Sequence, residues 1–334
     1  MAVGFDGGFG NAKLVTPTAE ILCPAYVLPI SIEEVYDIPQ TRNGALVEYI
    51  SGSALNLVAQ SWMCGDLAVK RKPNGIYRVV GDINGKVDWG LQMFLGSLAA
   101  TNPKTDIDIA VFASIQDAKA VGVRLKKALE GHHEIRVNNA QTIVVNVEVL
   151  GVLDEGTGVS YWHRQTNSIP LSSTIATIDF GNGTTIATVW NGAKKMDFRI
   201  VPGGVNALIE AIANNLAFRK HLGGSPAKHH LVRHGVERGD YKYGCNANAY
   251  NFREIYKTEG FRWLEQTLSE VFAFLSPYRE EIEEAIAVGG GALLPGLSSV
   301  LHARDMKAID DPIFANARGL QALASLRVRT GGEG

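Results

Sequence analysis

The sequence predicts an α/β protein built from two related lobes. Three observations lead to it. A β run, an aspartate, a glycine-rich turn and a returning β run occur in that order twice, around Asp6 and again around Asp179. Segments with the two-residue period of a strand alternate with segments carrying the apolar stripe of a helix. A length of 334 residues suits two domains at roughly 150 residues each.

Taken in order, Ala2 to Phe5 is the first strand, Asp6-Gly7-Gly8-Phe9-Gly10-Asn11 turns the chain, and Ala12 to Thr16 returns as the second arm of a β-hairpin. Residues 20–105 hold short alternating stretches, such as Ala45-Leu46-Val47-Glu48-Tyr49-Ile50, among many turn residues. Ile107 to Ala113 is a buried strand. Asp117 to Glu130 is a helix with Val121, Leu125, Ala128 and Leu129 on one face and Gly131 as its stop. Ala140 to Leu150 alternates strictly, with Ile143, Val145, Val147 and Val149 on one side of a half-buried strand. Thr174 to Phe180 opens the second half, Gly181-Asn182-Gly183 turns, and Thr184 to Trp190 returns. Asn191-Gly192 is a two-residue hairpin signal, with Lys194 to Ile200 beyond it. Val205, Leu208, Ile209, Ile212 and Leu216 form a helical stripe, and residues 219–251 are polar, basic and loop-like. Phe261, Leu264, Leu268, Val271, Phe272 and Leu275 mark a long helix stopped by Pro277. Ala285 to Val288 is a strand running into Gly289-Gly290-Gly291, and a last helix covers about Ile313 to Leu326.

Composition removes several classes. With 34 acidic and 32 basic residues the net charge is −2, which excludes a basic nucleic-acid coat and an acidic solvating tail. Hydrophobic residues at 46% and charged residues at 20% describe a packed globular chain. The 36 glycines against 12 prolines stay below a low-complexity level, so the glycines belong to specific turns. Cys23, Cys64 and Cys245 are too few and too far apart for a disulfide framework or a CxxC zinc site. The N-terminus has no basic and apolar regions of a signal peptide, and no stretch approaches the ~20 apolar residues of a membrane span. The expectation is a cytoplasmic protein with no membrane contact. Lys228-His229-His230 with His234 lacks the cysteine or carboxylate spacing of a zinc site and reads as a solvated loop.

The two hairpins carry the ingredients of a nucleotide site. Phosphate oxygens need backbone N–H donors without an obstructing Cβ, and glycine turns supply them. Mg²⁺ takes oxygen ligands, usually one or two carboxylates and waters. A lysine offsets phosphate charge. Asp6, Gly7, Gly8, Gly10 and Lys13 bring all three within eight residues. Asp179, Gly181, Gly183, Thr184 and Thr185 bring a carboxylate, glycines and hydroxyls again. Gly289-Gly290-Gly291-Ala292, between a strand and a helix, offers bare backbone on which a base or ribose can pack. Neither a Rossmann GxGxxG nor a Walker A GxxxxGK[ST] is present. A lone Asp-Gly-Gly turn is an ordinary hairpin turn; the recurrence of the motif and the triple glycine are what point to a site.

In this order the three segments resemble the motifs of the actin-type ATPase superfamily. Gly4-Phe5-Asp6-Gly7-Gly8-Phe9-Gly10-Asn11-Ala12-Lys13 resembles its first phosphate motif. Thr177-Ile178-Asp179-Phe180-Gly181-Asn182-Gly183-Thr184-Thr185 resembles the second, and Ile286-Ala287-Val288-Gly289-Gly290-Gly291-Ala292 the adenosine motif. Asp311-Pro312-Ile313-Phe314-Ala315-Asn316-Ala317-Arg318-Gly319 is similar to the start of the last helix in the bacterial and archaeal actin-like branch typified by ParM, the plasmid-segregation actin. The resemblance spans residues 4 to about 325 and is poor over 20–105 and 219–255. It implies an actin-type (ribonuclease-H-like) two-lobed α/β ATPase fold with nucleotide in the interlobe cleft. Lobe I would cover 1–170, with a small subdomain at about 20–105 and helix 313–326 packed back on it; lobe II would cover 171–312, with a smaller subdomain at about 205–280.

The resemblance also implies roles. Asp6 and Asp179 hold Mg²⁺, mostly through water. Gly7, Gly8, Phe9, Gly10, Asn11, Lys13, Gly181, Asn182, Gly183, Thr184, Thr185, Gly203, Gly204, Gly289, Gly290, Gly291 and Ala292 bind the nucleotide, ATP, with GTP left open. Asp154-Glu155-Gly156-Thr157-Gly158 is similar to the turn whose Glu or Gln orients the attacking water, so Glu155 is the catalytic candidate; a solvated acidic turn is the plainer alternative. Three positions depart from the family pattern: Asp154 replaces a proline, Asn182 a central glycine, and Ile186 a frequent aspartate. The implied function is a polymerising ATPase forming head-to-tail filaments, in plasmid segregation through a DNA-binding adaptor protein, without strong direct nucleic-acid binding. The basic stretch 219–251 would then be a filament contact, a weak DNA contact or a partnerless loop. The alternatives are a sugar-type kinase of the same superfamily and a non-polymerising actin-like scaffold.

Overall fold

The computed structural model describes residues 1–31, 38, 41–71, 77–78, 83–103, 105–244 and 249–331; Cys245 lies outside them. The chain divides into two compact units, Met1–Asn167 with Phe314–Gly334, and Ser168–Ile313. The first contains β1 (Ala2–Gly7), β2 (Asn11–Val15), β3 (Glu20–Pro24), β4 (Tyr26–Ile30), β5 (Leu46–Gly52), β6 (Ser61–Cys64), α1 (Gly65–Arg71), β7 (Tyr77–Arg78), α2 (Ile83–Asp88), α3 (Gly90–Ala99), β8 (Ile107–Ile115), α4 (Ala118–Leu129), β9 (Gly131–Val137), β10 (Gln141–Asp154) and α5 (Thr157–Asn167). The second contains β11 (Thr174–Phe180), β12 (Thr184–Asn191), β13 (Lys194–Pro202), α6 (Val205–Asn214), α7 (Leu216–His221), α8 (His229–Glu237), β14 (Lys242–Tyr243), β15 (Tyr250–Asn251), α9 (Arg253–Leu275), β16 (Ile282–Val288), α10 (Leu297–His302) and β17 (Met306–Ala308). The chain then returns to the first unit as α11 (Ala315–Gly331).

The first unit is organised by one sheet in the order β3-β2-β1-β8-β10-β9-β5-β6-β4-β7. β1, β2 and β3 pair antiparallel, while β1, β8 and β10 run parallel. In the second unit the order β13-β12-β11-β16-β17 repeats this plan: three antiparallel strands, then two more that run parallel to the last of them in the sheet order, β11. The recurring Asp hairpin is therefore the visible part of a repeated sheet topology.

Local chemistry accounts for much of this. Val145, Val147 and Val149 of β10 meet Ile109, Val111 and Ala113 of β8 in a core that also takes Phe5, Leu14 and Phe94. Asp117 caps α4, its side chain accepting from the Ala120 N–H at 2.9 Å. Gly131 ends that helix and, with φ +127°, leads directly into β9, a strand the sequence reading passes over. Asn138 and Asn139, both left-handed, turn β9 back into β10. α3 is buried along its whole length and so has no polar face for a periodicity to reveal.

Three expectations are corrected in the second unit. Leu216 does not continue the stripe of α6: the helix stops at Asn214, Asn215 caps α7, and Leu216 is 81% exposed. On α9 the buried line is Leu264, Leu268, Val271 and Leu275, whereas Phe261 and Phe272 face outward. The stretch 219–251 is not all loop. It contributes α8, β14 and β15 to a cluster around Phe218, Val232 and Phe252, in segments too short to show a period. Among the described residues no helix is long and apolar enough to cross a membrane.

Candidate functional site

The first unit gathers its candidate residues at the carboxyl ends of β1, β8 and β10, where open α/β sheets bind ligands. The β1–β2 register places Asp6 opposite Lys13, and the parallel β1–β8 register places it beside Ser114. Lys13 Nζ donates to Asp6 Oδ2 at 2.9 Å, and Ser114 Oγ donates to Asp6 Oδ1 at 3.1 Å. Burial pushes the Asp6 carboxyl up, but the Lys13 ammonium and its hydrogen bond, the charge of Lys86 and the Ser114 hydroxyl together hold it below the usual carboxylate value. Asp6 is therefore a buried carboxylate kept ionised by its neighbours.

Behind it stands a buried relay. Asn316 Nδ2 of α11 donates to Ser114 Oγ at 2.9 Å, and the Gly158 N–H of α5 donates to Asn316 Oδ1 at 3.1 Å. α5 and α11 come this close because a Cβ on Gly319 would stand 1.9 Å from the Gly158 carbonyl oxygen. The segment Asp311 to Gly319 thus has a physical role, since its asparagine ties the last helix to the strand ends that carry Asp6.

Glu155 follows β10 directly. Its N–H donates to the Ile115 carbonyl at the end of β8, and Gly156, with φ +91°, starts the chain into α5. Its side chain is mostly buried and accepts from Lys86 Nζ of α2. The same ammonium lies 4.2 Å from the centroid of the Phe9 ring, on the first turn. A small cavity behind that turn is lined by Gly7, Gly8, Lys86 and Ser114 among others. The solvated acidic turn is thus replaced by a half-enclosed carboxylate held by a buried lysine. Gly10 and Asn11 lie on the same half-buried turn.

In the second unit Asp179 stands near the end of β11, beside Val288 of β16. Gly289, at φ +81°, is required there: a Cβ would come within 2.1 Å of Asp179 Oδ1. Gly291 packs on Phe180, and only Gly290 of the three faces open space; Ala292 is buried in the core. The turn Gly181-Asn182-Gly183 is braced from α6, whose first N–H groups are already used. Gly204 donates to Gly183 O, Val205 to Gly181 O and Asn206 to Asn182 O, at 2.9–3.0 Å. Gly204 thus holds the turn from behind, whereas the Gly203 carbonyl accepts from Trp263 Nε1 at 2.7 Å. Arg233 of α8 donates to Asn182 Oδ1 at 2.7 Å, which gives the asparagine that replaces glycine a partner of its own. Thr184 is half-buried, whereas Thr185 points to the core side with Phe180 and Val201, so only its backbone lies near the turn.

Lys86, Ser114 and Asn316 join the site only in the folded chain. A polar residue closing the apolar run Ile107 to Ala113 was a signal for Ser114; Lys86, in the unpatterned stretch, had none. Among the described residues no group of three or more His, Cys, Asp or Glu is placed to hold a metal ion. The oxygen donors here are single carboxylates, a set that suits a hard cation retaining most of its water.

Residues 4–158 match the family model of the actin like proteins N-terminal domain. No curated protein matches the sequence. Among solved structures, an archaeal actin homolog, Ta0583, in complex with ADP is 17% identical, with a TM-score of 0.77 over 98% of this chain and 100% of that one. Bacillus thuringiensis ParM with ATP is 16% identical, with a TM-score of 0.70 over 98% and 99%. ParM in a 15-stranded filament from Clostridium botulinum is 14% identical, with a TM-score of 0.71 over 97% and 98%. Residues 4–158 are thus similar to the N-terminal domain of the actin-like proteins, and the chain as a whole has the actin-like fold.

Proposed function

We propose that this chain is a nucleotide-dependent, polymerising ATPase. The observation that carries the reading is the convergence of Asp6, Lys13 and Glu155 at adjoining strand ends of one sheet, with Asp179 and its glycine turns at the matching strand ends of the repeated sheet. Solved proteins of the same fold contain ADP or ATP, and one is a filament. ATP engages both turns. Backbone N–H groups of the glycine turns face its phosphates, Lys13 offsets their charge, and Glu155 aims a water at the γ-phosphorus and takes its proton. Asp6 and Asp179 would hold Mg²⁺ mostly through water; when bound, the ion neutralises charge on the phosphate oxygens.

ATP-bound subunits assemble head to tail, and such contacts extend without closing. Hydrolysis then weakens the lattice. The cellular role is cytoplasmic, plasmid segregation through a DNA-binding adaptor, since a net charge of −2 gives little attraction to DNA. The test is pelleting and light scattering with Mg²⁺ and ATP, GTP, ADP or no nucleotide. Polymer with triphosphate only is the expected result, and its absence well above cellular concentrations defeats the reading. Glu155→Ala is expected to keep assembly and slow phosphate release; unchanged release removes Glu155 from catalysis.

A further inference from the structure

We propose that Lys86 is the positioning residue of Glu155, gripping one carboxylate oxygen so that the other is presented to the attacking water. The proposal rests on the reading above that Glu155 handles that water. Its support lies in the first unit alone.

Lys86 is 5% exposed and donates to Glu155 Oε1. The lysine engages Oε1, and the Glu155 side chain keeps 12% of its surface exposed, so the carboxylate is held at one oxygen without being sealed off. Burying an ammonium is unfavourable unless it is paired, and an apolar side chain of similar length would fill the same space at less cost. Stability therefore gives a poor account of the pair. Its location gives a better one: the same ammonium covers the Phe9 ring and borders the cavity where Gly7, Gly8 and Ser114 meet Phe5, Met93 and Leu125.

The lysine is aimed by its helix. Arg124 of α4 donates to Asn84 Oδ1 at 3.1 Å and to Asp88 Oδ1 at 3.4 Å, gripping two residues one turn apart on the exposed side of α2. Exposed pairs of this kind contribute little energy; here they fix the rotation of a six-residue helix, so that Lys86 faces inward. A carboxylate with two free oxygens would swing about its χ3 torsion. Holding Oε1 removes that freedom before any nucleotide arrives, and preorganised groups of this sort act chiefly on kcat.

The test uses the full chain and four variants: Lys86→Met, Lys86→Arg, Glu155→Gln and the double Lys86→Met/Glu155→Gln. Three quantities are read: affinity for a fluorescent ATP analogue, single-turnover phosphate release, and the thermal midpoint without nucleotide. Lys86→Met is expected to leave affinity within about threefold and to slow release by about tenfold or more, with Lys86→Arg recovering most of the rate. In the Glu155→Gln background Lys86→Met should cost no further rate. The proposal is overturned if Lys86→Met releases phosphate at the wild-type rate, if affinity falls by the same factor as the rate, or if the loss persists undiminished without the Glu155 carboxylate. If the wild type binds ATP but releases no phosphate, the catalytic reading of Glu155 fails instead. The pairing is then judged on midpoints alone, where non-additive effects of the two substitutions support it and additive effects refute it. Should Lys86→Met not fold, Lys86→Arg and the double variant, in which neither charge is left alone, carry the same comparison.

Discussion

Asn316→Ala is the substitution on which the packing argument for the site can be tested most directly. The asparagine is 7% exposed and its amide joins three elements, accepting from the Gly158 N–H and donating to Ser114 Oγ, which in turn donates to Asp6. Truncation leaves the Gly158 N–H without an acceptor and removes the donor to Ser114. A buried donor left unsatisfied costs about 1–3 kcal/mol, and the second lost bond about 1 kcal/mol, for a sum of roughly 2–4 kcal/mol. In a domain of ~150–250 residues each kcal/mol moves the midpoint by about 2–4 °C, so the thermal midpoint of nucleotide-free protein should fall by roughly 4–16 °C. Scanning calorimetry measures this, with Ser114→Ala as the control that removes the hydroxyl link to Asp6 and leaves the Gly158 bond in place. A midpoint within about 2 °C of wild type would mean that water replaces the amide and that the relay does not hold the last helix.

Gly319→Ala puts a methyl carbon 1.9 Å from the Gly158 carbonyl oxygen, so overpacking should cost about 1–3 kcal/mol or more, read as a lower midpoint; an unaltered melt refutes the close crossing of α5 and α11. Asp179→Ala should abolish Mg²⁺-dependent ATP binding by equilibrium fluorescence, and unchanged affinity would refute its place in the site. Burial lowers the pKa of His133, whose Nε2–H donates to the Leu129 carbonyl while Nδ1 accepts from the Tyr49 hydroxyl. The fold thus favours the neutral ring, and its contribution is full above the unfolded value of 6.5 and lost as pH falls toward the lower folded value. The midpoint should drop between about pH 7 and pH 5 and drop less in His133→Gln; parallel profiles would assign the pH effect to other groups.

Much of this molecule is legible in single short segments. A hairpin sets its own register, so an aspartate and a lysine seven positions apart across a glycine turn meet by local geometry, as Asp6 and Lys13 do at 2.9 Å. The same locality makes the second hairpin, the strict alternation of β10 and the stop of α4 at Gly131 readable. It fails where burial erases contrast: α3 has no polar face, and α8 with β14 and β15 are too short for a period. By itself, then, the sequence determined the repeated Asp hairpins, the triple glycine and hence the class of the fold. Tertiary structure alone decided what surrounds the carboxylates. Ser114 reaches Asp6 through parallel pairing of strands more than a hundred residues apart, Asn316 reaches Ser114 across 202 positions, and Lys86 reaches Glu155 from a helix with no sequence signal. Such contacts depend on which distant surfaces bury each other, a sum over the whole core that no local spacing records.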